Sequence, residues 1–275
     1  MTSSPWYVAD PSFRAAINAI HAGDVGALER LIDAEPRLLR DRVFGANDDV
    51  REQRPAYFRD PKLFWYVANN HRTVERMPSN IVEIAQSMIA RGVDEADLTY
   101  TLELVMSGAS AREQGLQVPL ARALRDAGAT PTPQAIVAAA AHRELDVIRM
   151  LVAEGFPASF PVLAVLGSDE AFRAALPGAT ADEVQTAFAL AVINDRVSAA
   201  TAALDAGARI DAFLPVHSHS TALHQAAAGG NVAMIEMLLS RGARSDVRDA
   251  LWHATPLDWS IHEDRPTARA VLERV

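Results

Sequence analysis

Thr221-Ala222-Leu223-His224-Gln225-Ala226-Ala227-Ala228-Gly229-Gly230-Asn231-Val232, running on to Leu238-Leu239-Ser240-Arg241-Gly242-Ala243, is the stretch that decides the fold. Thr221 suits the cap of a short helix, and the alanines behind it let that helix lie close to its neighbours. Gly229 and Gly230 end the helix, because glycine adopts the left-handed geometry of a C-terminal stop without a Cβ penalty. Val232, Ile235, Leu238 and Leu239 then recur at helical spacing and mark a second helix with one apolar stripe. Gly242 closes it in the same way. A helix, a tight turn, a second helix and a glycine stop make one unit that cannot bury its own apolar face alone.

The pattern returns. Thr255-Pro256-Leu257-Asp258-Trp259 begins 34 residues after Thr221. These two units resemble the ankyrin repeat, whose first helix opens T-P-L-H-x-A and whose period is about 33 residues. Asp258 stands where the motif has histidine and still permits a local cap, whereas His224 keeps the motif residue and is expected to bond within the loop–helix junction.

The rest of the chain keeps the skeleton in degenerate form. Helix-ending glycines recur at Gly92, Gly128, Gly155, Gly207 and Gly242. Helix pairs are predicted over 13–22 and 25–32 around Gly23-Asp24, then 63–68 and 81–89, with Asn80 and Glu83 as a capping box. Residues 102–106 and 118–124 form a third pair, and Gln134 opens a fourth that continues over 145–152. A shortened unit lies around 162–175, and alignment on Gly207 places Thr186 at the start of the next. The resemblance implies an all-α ankyrin-repeat solenoid of about eight helix–turn–helix units in a single domain over 1–275. The best-matched repeats are 219–250 and 253–275, with insertions at roughly 44–61 and 70–79. Arg269, Glu273 and Arg274 give the last helix a polar outer face.

Composition narrows the function classes. Apolar residues make up 49% and charged residues 22% of the 275, which fits a folded chain. A net charge of −9 disfavours duplex nucleic acid and anionic membrane as partners. With no cysteine there is no disulfide, thiolate zinc site or cysteine nucleophile. The N-terminus shows neither the basic nor the apolar region of a secretory signal, and the longest apolar run, about 135–141, is far short of the roughly 20 residues of a spanning helix. The expectation is a cytoplasmic protein. Lys62 is the single lysine among 26 basic residues, a compositional bias rather than a functional mark.

No G-x-S-x-G, H-E-x-x-H, P-loop or dinucleotide fingerprint occurs, so no catalytic residues are assigned. Acidic pairs such as Asp48-Asp49 and Asp169-Glu170 read as solvated turns. His217, His219 and His253 sit just before the two best repeats, with His219 and His253 each two residues ahead of their threonine. Equivalent places on adjacent loops would let imidazoles share zinc, copper or nickel. The reading adopted is a cluster of exposed loop histidines, with no metal and no cofactor.

The resemblance implies a non-enzymatic binding module presenting a concave face of first helices and loop tips to a protein partner, an analogy at the level of the fold. The contact residues assigned to it are His219, Arg248, Trp252 and His253, with the Trp252 ring the most informative. The alternative is a small-molecule binder or enzyme with a pocket between the 44–80 insertion and that face. Residues 51–76 hold six of the basic side chains and five of the 17 aromatics. Arginine and aromatic rings together suit an interface or an anionic ligand. For that pocket the assigned residues are Arg54, Tyr57, Trp65, Tyr66 and Arg76, with Glu103 as an acid–base candidate at the position of the motif histidine.

Overall fold

The computed structural model describes residues 8–43, 56–70 and 72–275. Its helices fall into two compact units, Met1–Ala135 and Ile136–Val275. Among the described residues there is no strand, only an isolated bridge between Arg42 and Lys62. No helix among them is long and apolar enough to cross a membrane.

The first unit contains α1 (Pro11–Ala22), α2 (Val25–Ala34), α3 (Arg37–Arg40), a 3-10 helix at Leu63–Ala68, α4 (Ile81–Ile89), α5 (Glu95–Ser107), α6 (Ala109–Glu113) and α7 (Gln117–Asp126). The helices stack in two layers. One runs α1, 3-10 helix, α5; the other runs α2, α4, α7. Local chemistry explains the start: Asp10 accepts from the Ser12 and Phe13 amides at 2.8 and 3.2 Å, and Gly23 stops α1 at φ 70°. Asp24 caps α2 through Ala27.

The capping box expected at Asn80 and Glu83 does not form. Asn80 Nδ2 donates instead to the Gly23 carbonyl at 2.9 Å, tying α4 back to the first turn. Of the two insertions, 44–55 lies outside the described residues. The other folds as a strap: Asn69 Nδ2 donates to Val74 O and Ser110 Oγ, both at 2.9 Å, while its Oδ1 accepts from Thr73 Oγ1 and the Val74 amide. Met77 is buried beneath the strap, its amide on Gln114.

In the second unit, α8 (Pro133–Ala141) and α9 (Leu145–Ala153) precede α10 (Phe160–Leu166), α11 (Asp169–Ala175), α12 (Ala181–Ile193), α13 (Val197–Asp205), α14 (Ala222–Gly229), α15 (Val232–Ser240), α16 (Pro256–His262) and α17 (Pro266–Leu272). The layers are α10, α12, α14, α16 and α11, α13, α15, α17. Buried alanines at 187, 189, 191, 199, 200, 202, 203, 222, 226 and 227 let these helices approach closely, and Phe172, Phe188, Leu223, Ile235 and Leu238 fill the space between them.

Thr186 does not open a helix. It lies inside α12 with its hydroxyl on the Asp182 carbonyl, and Thr180 is the cap, in a full capping box with Glu183. At 13 residues α12 is longer than the eight of α14, so counting back from Gly207 lands inside it. All five sequence-identified glycine stops have positive φ, Gly242 at 88°.

Candidate functional site

The loop tips of the last two repeats form one hydrogen-bonded edge. Leu214 and Ser220 pair across one tip (Leu214 N to Ser220 O, 3.0 Å), and Asp249 and Ala254 across the next (Asp249 N to Ala254 O, 2.9 Å). Ala250 N joins them by donating to His219 O at 2.8 Å.

Beneath this edge the two repeat caps differ as their sequences do. His224 Nδ1 accepts from the Thr221 amide at 3.3 Å, which assigns the proton to Nε2 and makes Nε2 the donor to Ala254 O at 3.0 Å. The ring is fully buried, and that burial, partly offset by the Ala254 carbonyl, pushes its pKa down. His224 is therefore a neutral structural link between consecutive repeats. In the last repeat Asp258 closes a capping box, taking the Thr255 amide at 2.8 Å while its own amide donates to Thr255 Oγ1 at 3.2 Å.

Asp249 organises the second tip. Its Oδ1 accepts from the Leu251 and Trp252 amides at 2.8 and 2.7 Å, and its Oδ2 from the Ala254 amide at 3.1 Å and Trp259 Nε1 at 2.9 Å. Burial pushes this carboxyl up, but the four donors outweigh it and hold its pKa down to about 2. The sequence reading missed Asp249. Its signal is local: an aspartate two and three residues ahead of Leu-Trp in a loop is an Asx turn.

The turn pushes apolar groups into solvent. Leu251 is 60% and Trp252 66% exposed. The Trp252 ring lies edge-on to His219 at 5.6 Å and to Trp259 at 5.7 Å, and His219 covers Trp259 at 5.8 Å. Of the four residues assigned here from sequence, His219 and Trp252 come together. Arg248 donates to the His253 carbonyl at 2.7 Å, bracing the tip through backbone, and His253 sits at φ 53°. His217 lies between His219 and His142, edge-on to each at 6.3 and 5.7 Å, with Nε2 against Ala141 O. Among the described residues no three histidine or carboxylate groups converge as metal ligands.

The first unit has a different site. A cavity of about 490 Å³ is lined by Arg42, Tyr57, Arg59, Asp60, Trp65, Ala96, Asp97 and Tyr100. Trp65 forms its floor: Nε1 donates to Asp97 Oδ1 at 3.1 Å, Tyr100 lies 4.3 Å away, and the Arg42 guanidinium sits 5.3 Å over the ring. Lys62 Nζ faces Asp97 Oδ2 at 3.3 Å. Burial raises the Asp97 pKa against the pull of that lysine.

Of the residues assigned to this pocket from sequence, Tyr57 and Trp65 line it. Tyr66 does not: it is core, edge-on to Phe58 at 5.2 Å. Arg76 is exposed on the strap and absent from the lining. Glu103 is also absent, because its carboxylate accepts from the Thr132 amide and hydroxyl at 3.0 and 2.8 Å, a capping duty. Arg54 lies outside the described residues. Asp97 and Tyr100, three apart on α5 and hence on one face, escaped the reading because they belong to the following unit.

Comparison with known proteins agrees with the geometry. No curated protein matches the chain. Residues 187–239, which span most of α12 through α15, match the family described as ankyrin repeats (many copies). The matched repeats, the paired helices in two layers and the glycine stops together support an ankyrin-repeat protein.

Proposed function

We propose that the chain is a non-enzymatic binding module that docks a protein partner on the loop tip around Trp252. Ankyrin repeats generally mediate contact between proteins, which supports the class of function. The observation that carries the choice of surface is the exposed Leu251–Trp252 pair on a backbone fixed by Asp249. A large ring left in solvent without loop freedom loses little entropy on binding, the property of interface hot spots. Arg248 and His253 serve this reading as the brace of the tip.

The test is affinity purification from the native host with the intact protein and with Trp252→Ala. The substitution should weaken retention of a captured partner by about tenfold or more, roughly 1.4 kcal/mol, while leaving the melting temperature nearly unchanged. Unchanged retention would remove the site. Unfolding of the last two repeats would make Trp252 structural.

The cavity over Trp65 favours a second reading, a small-molecule site. Two guanidiniums and two phenol rings at one mouth suit a planar anion, because Arg42, Arg59 and the Lys62 that pairs with Asp97 outnumber the carboxylates of Asp60 and Asp97. Arg42→Ala together with Tyr57→Ala should abolish binding of such a ligand in a thermal-shift screen of aromatic carboxylates. If no planar anion shifts the melting of the intact protein, this reading fails.

A further inference from the structure

Beside the loop tip lies a cavity of about 460 Å³ lined by Trp252, Ala254, Asp258, Trp259, His262 and Glu263. Its two indoles stand 5.7 Å apart, inclined at 64°, so they form two walls meeting at an angle rather than a flat stack. Both walls are set in advance. Trp259 is held by its Nε1 bond to Asp249, and His219 lies against both rings. An indole face attracts cations more strongly than any other side-chain ring, through its quadrupole.

The polar lining has the matching sign. It contributes the carboxylates of Asp258 and Glu263 and the His262 imidazole, with neither lysine nor arginine, although Arg248 outside the lining acts on Asp258. Hydrogen bonds from the Thr255 amide and hydroxyl lower the Asp258 pKa, so this group is charged at neutral pH. An anion would meet two carboxylates here. A neutral apolar group would leave them desolvated without compensation.

We infer that this cavity binds a cationic side chain of a protein partner, an alkylammonium or guanidinium seated between Trp252 and Trp259 with Asp258 and Glu263 as its counter-charges. This rests on the docking surface proposed above and adds the chemistry that the surface recognises.

The experiment follows the indole N–H signals of the full-length, nitrogen-15-labelled protein. It is titrated with tetramethylammonium chloride, with N-acetyl-argininamide, and with tert-butanol as a neutral group of similar shape. At least one cation should shift the Trp252 and Trp259 signals saturably, and tert-butanol should bind about tenfold more weakly or not at all. Glu263→Gln, on an exposed side chain, should weaken the cation several-fold with melting unchanged, and Trp252→Ala should abolish the response of Trp259. Equal binding of tert-butanol, an unaltered titration in Trp252→Ala, or no saturable shift with either cation would overturn the inference. Failure of the docking surface looks different. If the cations bind but Trp252→Ala leaves partner retention intact, the site takes free cations and the docking surface falls with the inference. If Trp252→Ala releases the partner but neither cation binds, the docking surface stands and the cation site falls.

Discussion

The repeat at 221–242 and the stretch at 63–92 build the same element, a helix pair ending in a glycine stop, by different means. In the first, each end is closed locally. His224 and Thr221 are three residues apart, Gly230 ends α14 at φ 72°, and Asn231 caps α15 through the Met234 amide. The second has almost none of this. Its inner helix is a 3-10 segment of six buried residues without a side-chain cap, and its outer helix α4 also lacks one. Long-range bonds replace the caps: Asn69 to Ser110, Trp65 to Asp97 and Asn80 to Gly23. A repeat can thus lose its motif and keep its architecture, provided polar side chains elsewhere satisfy the ends of its helices.

The sharpest way to break this comparison is Asn69→Ala. It removes four hydrogen bonds of the strap, one of them to the buried Ser110, and places alanine at φ 43°, so it should cost about 3 kcal/mol in denaturant unfolding. A loss below about 1 kcal/mol would mean that the strap is held by Met77 and apolar contact instead. Gly242→Val probes the locally encoded side. A Cβ there meets no neighbouring atom, so the cost is backbone strain alone, about 2 kcal/mol for a β-branched residue. Gly242→Asn should cost clearly less, since asparagine tolerates left-handed geometry. Equal losses for the two variants would show that crowding, not φ, sets the effect.

Next comes acid. The folded-state pKa of Asp249, about 2, lies below its ordinary 3.8. Its stabilisation is therefore complete above about 4 and is lost as pH falls toward about 2, on the order of 1–2 kcal/mol. Tryptophan fluorescence should report the tip loosening in that window, and Asp249→Asn should remove that pH dependence. An identical acid transition in the variant would assign it to other carboxylates. The smallest effect is expected for Trp252→Ala, within about 0.5 kcal/mol of the intact protein, because so much of the ring is already in water. A loss of 2 kcal/mol or more would turn the proposed contact residue into a core residue.

The legible parts of this protein were those encoded over short separations. Thr221, His224, Thr255 and Asp258 lie within one helical turn of their partners, and the glycines at 92, 128, 155, 207 and 242 mark positive φ whatever surrounds them. The candidate site was half legible. An exposed tryptophan in a polar loop pointed to Trp252, and clustered aromatics pointed to Tyr57 and Trp65. Thr186 misled because α12 begins six residues ahead of it, at the capping box of Thr180 and Glu183, and is longer than its counterpart α14.

What the sequence determined by itself was the repeating helix pair and where its helices stop, because caps and left-handed glycines act through bonds to residues three or four positions away. Only the tertiary structure decided which side chains meet. It set His219 against Trp252 and Trp259, sank Tyr66 into the core and gave Glu103 to Thr132. It also gathered the donors of Leu251, Trp252, Ala254 and Trp259 onto Asp249. Burial and convergence depend on how neighbouring layers stack, and no short window of sequence carries that information.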